Sequence, residues 1–215
     1  MQGSAPGVDR VTPRDVLRMD PVFVTAFLNA LLASSPFSSH MNTARITFVP
    51  KADAPSSPEL FRPISVTSVF TRLLHRILFD RWVPTFPSNR LQFGFLRKDG
   101  CFEAPAIMHA ALRHAHSSYA QLSFASIDIS KAFDSLSHQS LLRAASAFGA
   151  PPLLLDYLAS YYSSATSTFN NVHLHPERGV RQGDPLSPLL FIMTLDEALQ
   201  DLPSEPWTSP VGPID

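Results

Sequence analysis

The chain has 215 residues, 45% of them hydrophobic and 16% charged, with a formal net charge of −1, a composition that excludes an intrinsically disordered polymer. Cys101 is the only cysteine, which excludes an internal disulfide and a thiolate metal cluster. The longest apolar run, Leu186 to Leu195, is broken by Ser and Pro, and the N-terminus lacks a basic region followed by an apolar core, so an intracellular, soluble protein is expected.

Charge is unevenly spread. Between Arg45 and Arg113 basic side chains outnumber acidic ones two to one, whereas the segment after Ala150 is acidic. Such asymmetry suits a nucleic-acid partner without proving one.

In chain order, residues 1–13 read as a flexible lead-in. Helical spacing follows from Arg14 to Ala33, with Asp20-Pro21 starting a new segment inside it. Ala44 to Val49 alternates as a strand, and Ala52 to Glu59 is a Pro/Ser/Asp loop. Phe61-Arg-Pro-Ile-Ser65 leads into a helix from about Thr67 to Trp82. Gln92-Phe-Gly-Phe95 is expected as a short strand, with a turn at Lys98-Asp-Gly100 before a helix from Cys101 to His116. The apolar, partly β-branched run Leu122 to Ile129 reads as a buried strand. Two helices follow, Gln139–Ala147 and Pro152–Tyr162, then a β-hairpin turning at Asn170-Asn171. The last helix is placed at Leu186–Leu202, ahead of a Pro-rich tail.

The stretch Ser126-Ile-Asp-Ile-Ser-Lys-Ala-Phe-Asp134 organises this pattern. An ionised Asp128 inside a buried strand would be costly unless paired or bound to a cation. The bland alternative is an Asp at a strand end that caps the next helix. Fifty residues on stands Gly179-Val-Arg-Gln-Gly-Asp-Pro-Leu-Ser-Pro188, where Gly179 and Gly183 permit turns and Ser187-Pro188 suits a helix start. Upstream lie Arg45-Ile-Thr-Phe-Val-Pro-Lys51 and Phe61-Arg-Pro-Ile-Ser-Val-Thr-Ser68.

In this order, from about Val22 to Leu199, these stretches resemble the motifs of reverse transcriptases. The wording is nearest to non-LTR retrotransposons of the site-specific insertion type. The resemblance implies an α+β right-hand polymerase fold, fingers plus an incomplete palm with a small antiparallel sheet. Residues 1–40 would be an N-terminal helical lead-in, 41–120 the fingers region, 121–202 a partial palm and 203–215 a Pro-rich tail.

The implied activity is RNA-directed DNA polymerisation by two-metal nucleotidyl transfer. Magnesium, or manganese, would need carboxylates on rigid strand ends. The resemblance makes Asp128 the first catalytic aspartate and metal ligand, assisted by the Ile129 carbonyl. It gives Phe133 the aromatic position that crowds the sugar's 2′ side, and it sets Gln182 and Gly183 against the incoming nucleotide and template. Arg62 suits a phosphate grip and Lys51 a mobile counter-charge. The lesser alternative for Phe133 is a core aromatic on the following helix, while Asp134 reads as a turn or cap residue and Lys131 as a solvated lysine.

Implied partners are an RNA template, a DNA primer, a deoxynucleoside triphosphate and the remaining C-terminal polymerase segments, with no membrane. A nuclear location follows only from the family's need for chromosomal DNA. The family completes its metal site with an aromatic-Ala-Asp-Asp hairpin, and no adjacent Asp pair occurs in this chain. The chain alone is therefore expected to be inactive. The alternative is a non-catalytic RNA- or nucleotide-binding remnant of a retroelement. His109, His114, His116, His173 and His175 form no convincing zinc pattern.

Overall fold

The computed structural model describes residues 3–33, 39–118, 121–123 and 125–200. Its first helix, α1 (Pro13–Arg18), starts on a reciprocal cap in which Thr12 accepts from the Asp15 amide and the Asp15 carboxylate accepts from the Thr12 amide. Extended backbone at Met19 ends it, and Asp20-Pro21 opens α2 (Pro21–Ala33), as the sequence indicates. Residues 3–12 are not a loose lead-in. Arg72 donates to Ser4 Oγ and the Ala5 carbonyl, and Arg45 donates to the Pro6 carbonyl.

A one-turn helix, α3 (Ser39–Asn42), runs straight into β1 (Thr43–Pro50). Its partner β2 (Phe61–Val66) occupies the stretch expected only as a lead into a helix, pairing antiparallel from Arg45↔Val66 to Pro50↔Phe61. Pro63 cannot donate to a ladder, and β2 tolerates it because it is an edge strand. The hairpin β3 (Thr166–Phe169) and β4 (Val172–Leu174) turns on Asn170 and Asn171, whose φ values of 46° and 64° are those a two-residue I′ turn requires. The sheet order is β2-β1-β3-β4, and β3 runs parallel to β1. The small antiparallel sheet expected is thus a mixed one.

The helical part contains α4 (Val69–Trp82), α7 (His138–Ala147), α8 (Pro152–Ser163) and α9 (Ser187–Gln200). Leu74, Leu141, Leu158 and Leu190 come from these four helices into one apolar cluster, which Val16 of α1 and Leu28 and Leu31 of α2 extend. Each fully buried leucine contributes about 1.5–3 kcal/mol relative to exposure. Helix α9 ends at Gln200 among the described residues, and the Pro-rich tail falls outside them.

Two expected strands do not form. Gln92–Phe95 is a turn, in which Gln92 Oε1 accepts from the Gly94 amide. Leu122–Ile129 has no regular structure among its described residues and is exposed, Ile127 at 88%. A β-branched apolar run becomes a strand only when a partner takes its backbone groups. Here no described strand pairs with it, because β1, β2, β3 and β4 form the sheet without it. The neighbouring α5 (Gly100–Ser117), capped by Asp99, likewise buries no residue.

Candidate active site

The turn after Asp128 brings Lys131 into the left-handed region at φ 49° and starts a single helical turn, α6 (Ala132–Ser135). This turn places Phe133 against Phe191 of α9, with ring centroids 5.2 Å apart, and against Phe95, at 5.9 Å. Phe133 is half-buried, so it is at once a packing residue and an accessible aromatic wall. Phe95 holds φ 56°, a costly conformation for a bulky side chain.

The second motif threads between this turn and the sheet. The Gly179 amide donates to the Leu136 carbonyl at 2.6 Å and the Val180 amide to the Phe133 carbonyl at 2.8 Å. Gly179 has φ +88°, and a Cβ there would lie 3.0 Å from Asp134 and Phe133 main-chain atoms. Burial pushes the His138 imidazole below its usual pKa, against the opposing effect of the Gly179 carbonyl that it meets at 3.1 Å. Two residues further, the Ser65 amide of β2 donates to the Gln182 carbonyl at 2.7 Å. Gly183, at φ +101°, lies flat on Ile64 and Ser65, where a Cβ would come within 3.0 Å of Ile64 Cγ2. Gln182 is half-buried and Gly183 exposed.

Arg62 and Lys51 lie at the end of the β1–β2 hairpin where residues 51–60 connect the two strands. Arg62 pairs with Val49 in register, and the Lys51 amide donates to the Leu60 carbonyl at 2.7 Å. Both side chains are exposed, and Lys51 Nζ donates to the Glu59 carbonyl at 2.9 Å. Arg62 stands three strand residues from Ser65, about 10 Å along the strand.

Asp128 and Ile129 are exposed. Among the described residues no group of three His, Cys, Asp or Glu side chains could hold a metal ion. One carboxylate with one carbonyl does not satisfy magnesium's octahedral demand. The residues present do not by themselves fit the metal.

Six buried polar residues escaped the sequence reading. Arg181 donates to Asn42 Oδ1 at 2.9 Å, the Asn42 carbonyl at 2.6 Å, the Thr166 carbonyl at 3.2 Å and the Tyr161 hydroxyl at 2.7 Å. Asn42 in turn donates to the Tyr161 carbonyl at 2.6 Å. Asp184 accepts from His75 Nδ1 at 2.6 Å, from the Tyr161 hydroxyl at 3.1 Å and from the Leu186 amide at 2.8 Å. His75 Nε2 lies 2.7 Å from the Tyr157 hydroxyl. Burial works against the Asp184 carboxylate, but His75, the Leu186 amide and Arg181 together outweigh it and hold the group below the usual carboxylate range. Burial pushes the Tyr157 and Tyr161 hydroxyls up, so both stay protonated. The available signal was the spacing of Arg181 and Asp184, two opposite charges flanking Gln182-Gly183 before an apolar helix.

These motifs, joined by backbone hydrogen bonds over a mixed sheet and a helical core, define a nucleic-acid polymerase domain. Residues 49–209 match the family model described as reverse transcriptase (RNA-dependent DNA polymerase), and the chain belongs to that family. It is 38% identical over 207 residues to the Retrovirus-related Pol polyprotein from type-2 retrotransposable element R2DM of Drosophila melanogaster, which covers 94% of this chain and 20% of the relative. A Pol polyprotein from a type-1 retrotransposable element R2 of Popillia japonica is 32% identical over 214 residues, covering 94% of this chain and 29% of the relative. The corresponding R2 polyprotein of Nasonia vitripennis is 35% identical over 165 residues, covering 74% of this chain and 16% of the relative. The chain thus spans less than a third of the length of these relatives, and its kinship with non-LTR R2 elements supports the expected family. Enzymes of this family use divalent metal ions and act on a nucleic-acid template and primer. No helix among the described residues is long and apolar enough to cross a membrane.

Proposed function

We propose that this chain supplies the fingers and part of the palm of an RNA-directed DNA polymerase that copies a retroelement's RNA onto a DNA primer. The observation that carries this reading is convergence. Segments around residues 61–66, 128–134 and 179–184 are far apart in sequence, yet the Ser65–Gln182 and Val180–Phe133 hydrogen bonds tie them together. In this reading Arg62 and Lys51 grip the triphosphate, Phe133 crowds the sugar, and Gln182 and Gly183 face the base pair being formed. Asp128 and the Ile129 carbonyl join the metal site, which takes Mg²⁺ or Mn²⁺ only with further carboxylates. The deoxynucleoside triphosphate and a nuclear site of action belong to the same proposal.

The 215-residue chain alone does not catalyse synthesis, because Asp128 is the one carboxylate that the motif resemblance assigns to the metal. Primer extension on an RNA template, with Mg²⁺ or Mn²⁺, tests both halves. The isolated chain yields no extended product, and appreciable synthesis would overturn the inactivity claim. In the complete polymerase that carries this chain, Asp128→Asn abolishes extension, and retained extension would remove Asp128 from the catalytic role. A second reading, a non-catalytic RNA- or nucleotide-binding module, rests on the exposed Arg62 and Lys51 side chains at the β1–β2 connection. It wins if the complete protein binds template yet never extends a primer.

A further inference from the structure

Arg181 and Asp184 turn inward on either side of Gln182-Gly183, and one phenolic oxygen joins them. The Tyr161 hydroxyl accepts from Arg181 at 2.7 Å and donates to Asp184 Oδ2 at 3.1 Å. His75 Nδ1 lies within 2.8 Å of both oxygens of the same carboxylate. Tyr161 and His75 are each 1% exposed, so neither can touch a substrate.

Burying an arginine and an aspartate is poorly explained by stability, since well-packed apolar side chains commonly stabilise as much or more. Directional bonds give what apolar packing cannot, a single orientation for each anchor. Two intervening residues, one bonded to Ser65 and the other flat against Ile64, then have little freedom left.

We propose that Tyr161 and His75 are positioning residues that act through Arg181 and Asp184 to fix Gln182-Gly183 at the edge of β2. The inference rests on the reading that this loop faces nucleotide and template, and it deepens that reading. The hub also reaches Asn42, at the entry to β1, and Thr166, at the start of β3. The loop is therefore set relative to the whole sheet, including the strand that carries Arg62.

Amide hydrogen exchange on the 215-residue chain tests the positioning directly. In Tyr161→Phe the amides of Ser65 and Asp184, which donate to the Gln182 and Arg181 carbonyls, exchange at least about tenfold faster, equivalent to about 1.4 kcal/mol of lost protection, while those of α7 keep their rates. Unchanged exchange in the loop overturns the proposal, and so does uniform acceleration along the chain. His75→Gln, which leaves the Tyr161 bridge in place, gives the same local pattern more weakly. It carries the test if Tyr161→Phe does not fold.

In the complete polymerase, Tyr161→Phe raises the nucleotide KM by roughly tenfold with a smaller effect on kcat. Leu158→Ala, an apolar truncation in the same helix, lowers the melting temperature without moving KM. Gln182→Ala separates the two levels of inference. If it leaves KM unchanged, the substrate-facing reading of the loop fails whatever the exchange data show. If it raises KM and Tyr161→Phe does not, the positioning role fails alone.

Discussion

The Val180 amide donates to the Phe133 carbonyl over 2.8 Å, so the backbone beside the candidate sugar-selecting aromatic is held by the second motif. Gly179, the preceding residue, makes that approach possible. A Cβ there would sit 3.0 Å from main-chain atoms that cannot move independently, at a φ of +88°. Gly179→Ala should therefore destabilise the chain by about 1–3 kcal/mol, read as a lower urea midpoint with an unchanged slope. A midpoint equal to wild type would mean that the two motifs are not packed this tightly.

Asp184 should dominate acid sensitivity. Its folded pKa is depressed, so its contribution is fully present above the unfolded value near 3.8 and is lost as pH falls through the lower folded value. Asp184→Asn should cost about 3–5 kcal/mol at neutral pH and flatten the stability curve below about pH 4. Thermal melts from pH 7 to pH 3 check this. An acid limb that persists unchanged in the variant would assign it to other carboxylates. His138, whose folded pKa is also depressed, starts to weaken the fold at higher pH, as the medium falls below 6.5.

Arg62 is exposed on an edge strand, so removing its guanidinium should leave folding almost untouched. Arg62→Ala should shift the melting temperature by no more than a few degrees. A charge-assisted phosphate contact is worth about 1.5–3 kcal/mol, so nucleotide affinity in the complete polymerase should fall roughly 10- to 100-fold. Titration with a fluorescent deoxynucleoside triphosphate measures it. An unchanged Kd would remove Arg62 from the phosphate grip.

Helix α5 exposes Phe102 at 71% and Ile107, Met108 and Leu112 at 40–47%, beside the uncovered run containing Ile127. Such a face promotes self-association. Phe102→Ser with Ile107→Lys should lower light scattering at a given concentration without lowering the melting temperature, since neither side chain is buried. Scattering that stays the same would place the association elsewhere.

Much of this protein was legible in order along the chain. The break at Asp20-Pro21, the spans of α4, α7 and α8, and the I′ turn at Asn170-Asn171 follow from periodicity, Pro placement and the left-handed tolerance of Asn, all local causes. Family membership followed from the motif order. What local pattern could not decide was pairing. Leu122–Ile129 has strand composition and β2 carries a proline, yet β2 forms and the other does not. β1 gave β2 a partner, and no described strand did so for Leu122–Ile129.

The site divides the same way. Asp128, Phe133, Gln182 and Gly183 announced themselves by wording. The hub of Asn42, His75, Tyr157, Tyr161, Arg181 and Asp184 did not, because its members are up to 142 residues apart and each is an ordinary helix or loop residue in isolation. Sequence by itself determined the family and most of the helices, through local propensity and motif spelling. Only tertiary structure decided that the sheet is mixed, that the second motif is anchored from within, and that a buried phenol links its two charges. Long-range burial alone brings those groups to hydrogen-bond distance, and desolvation then obliges each of them to find a partner.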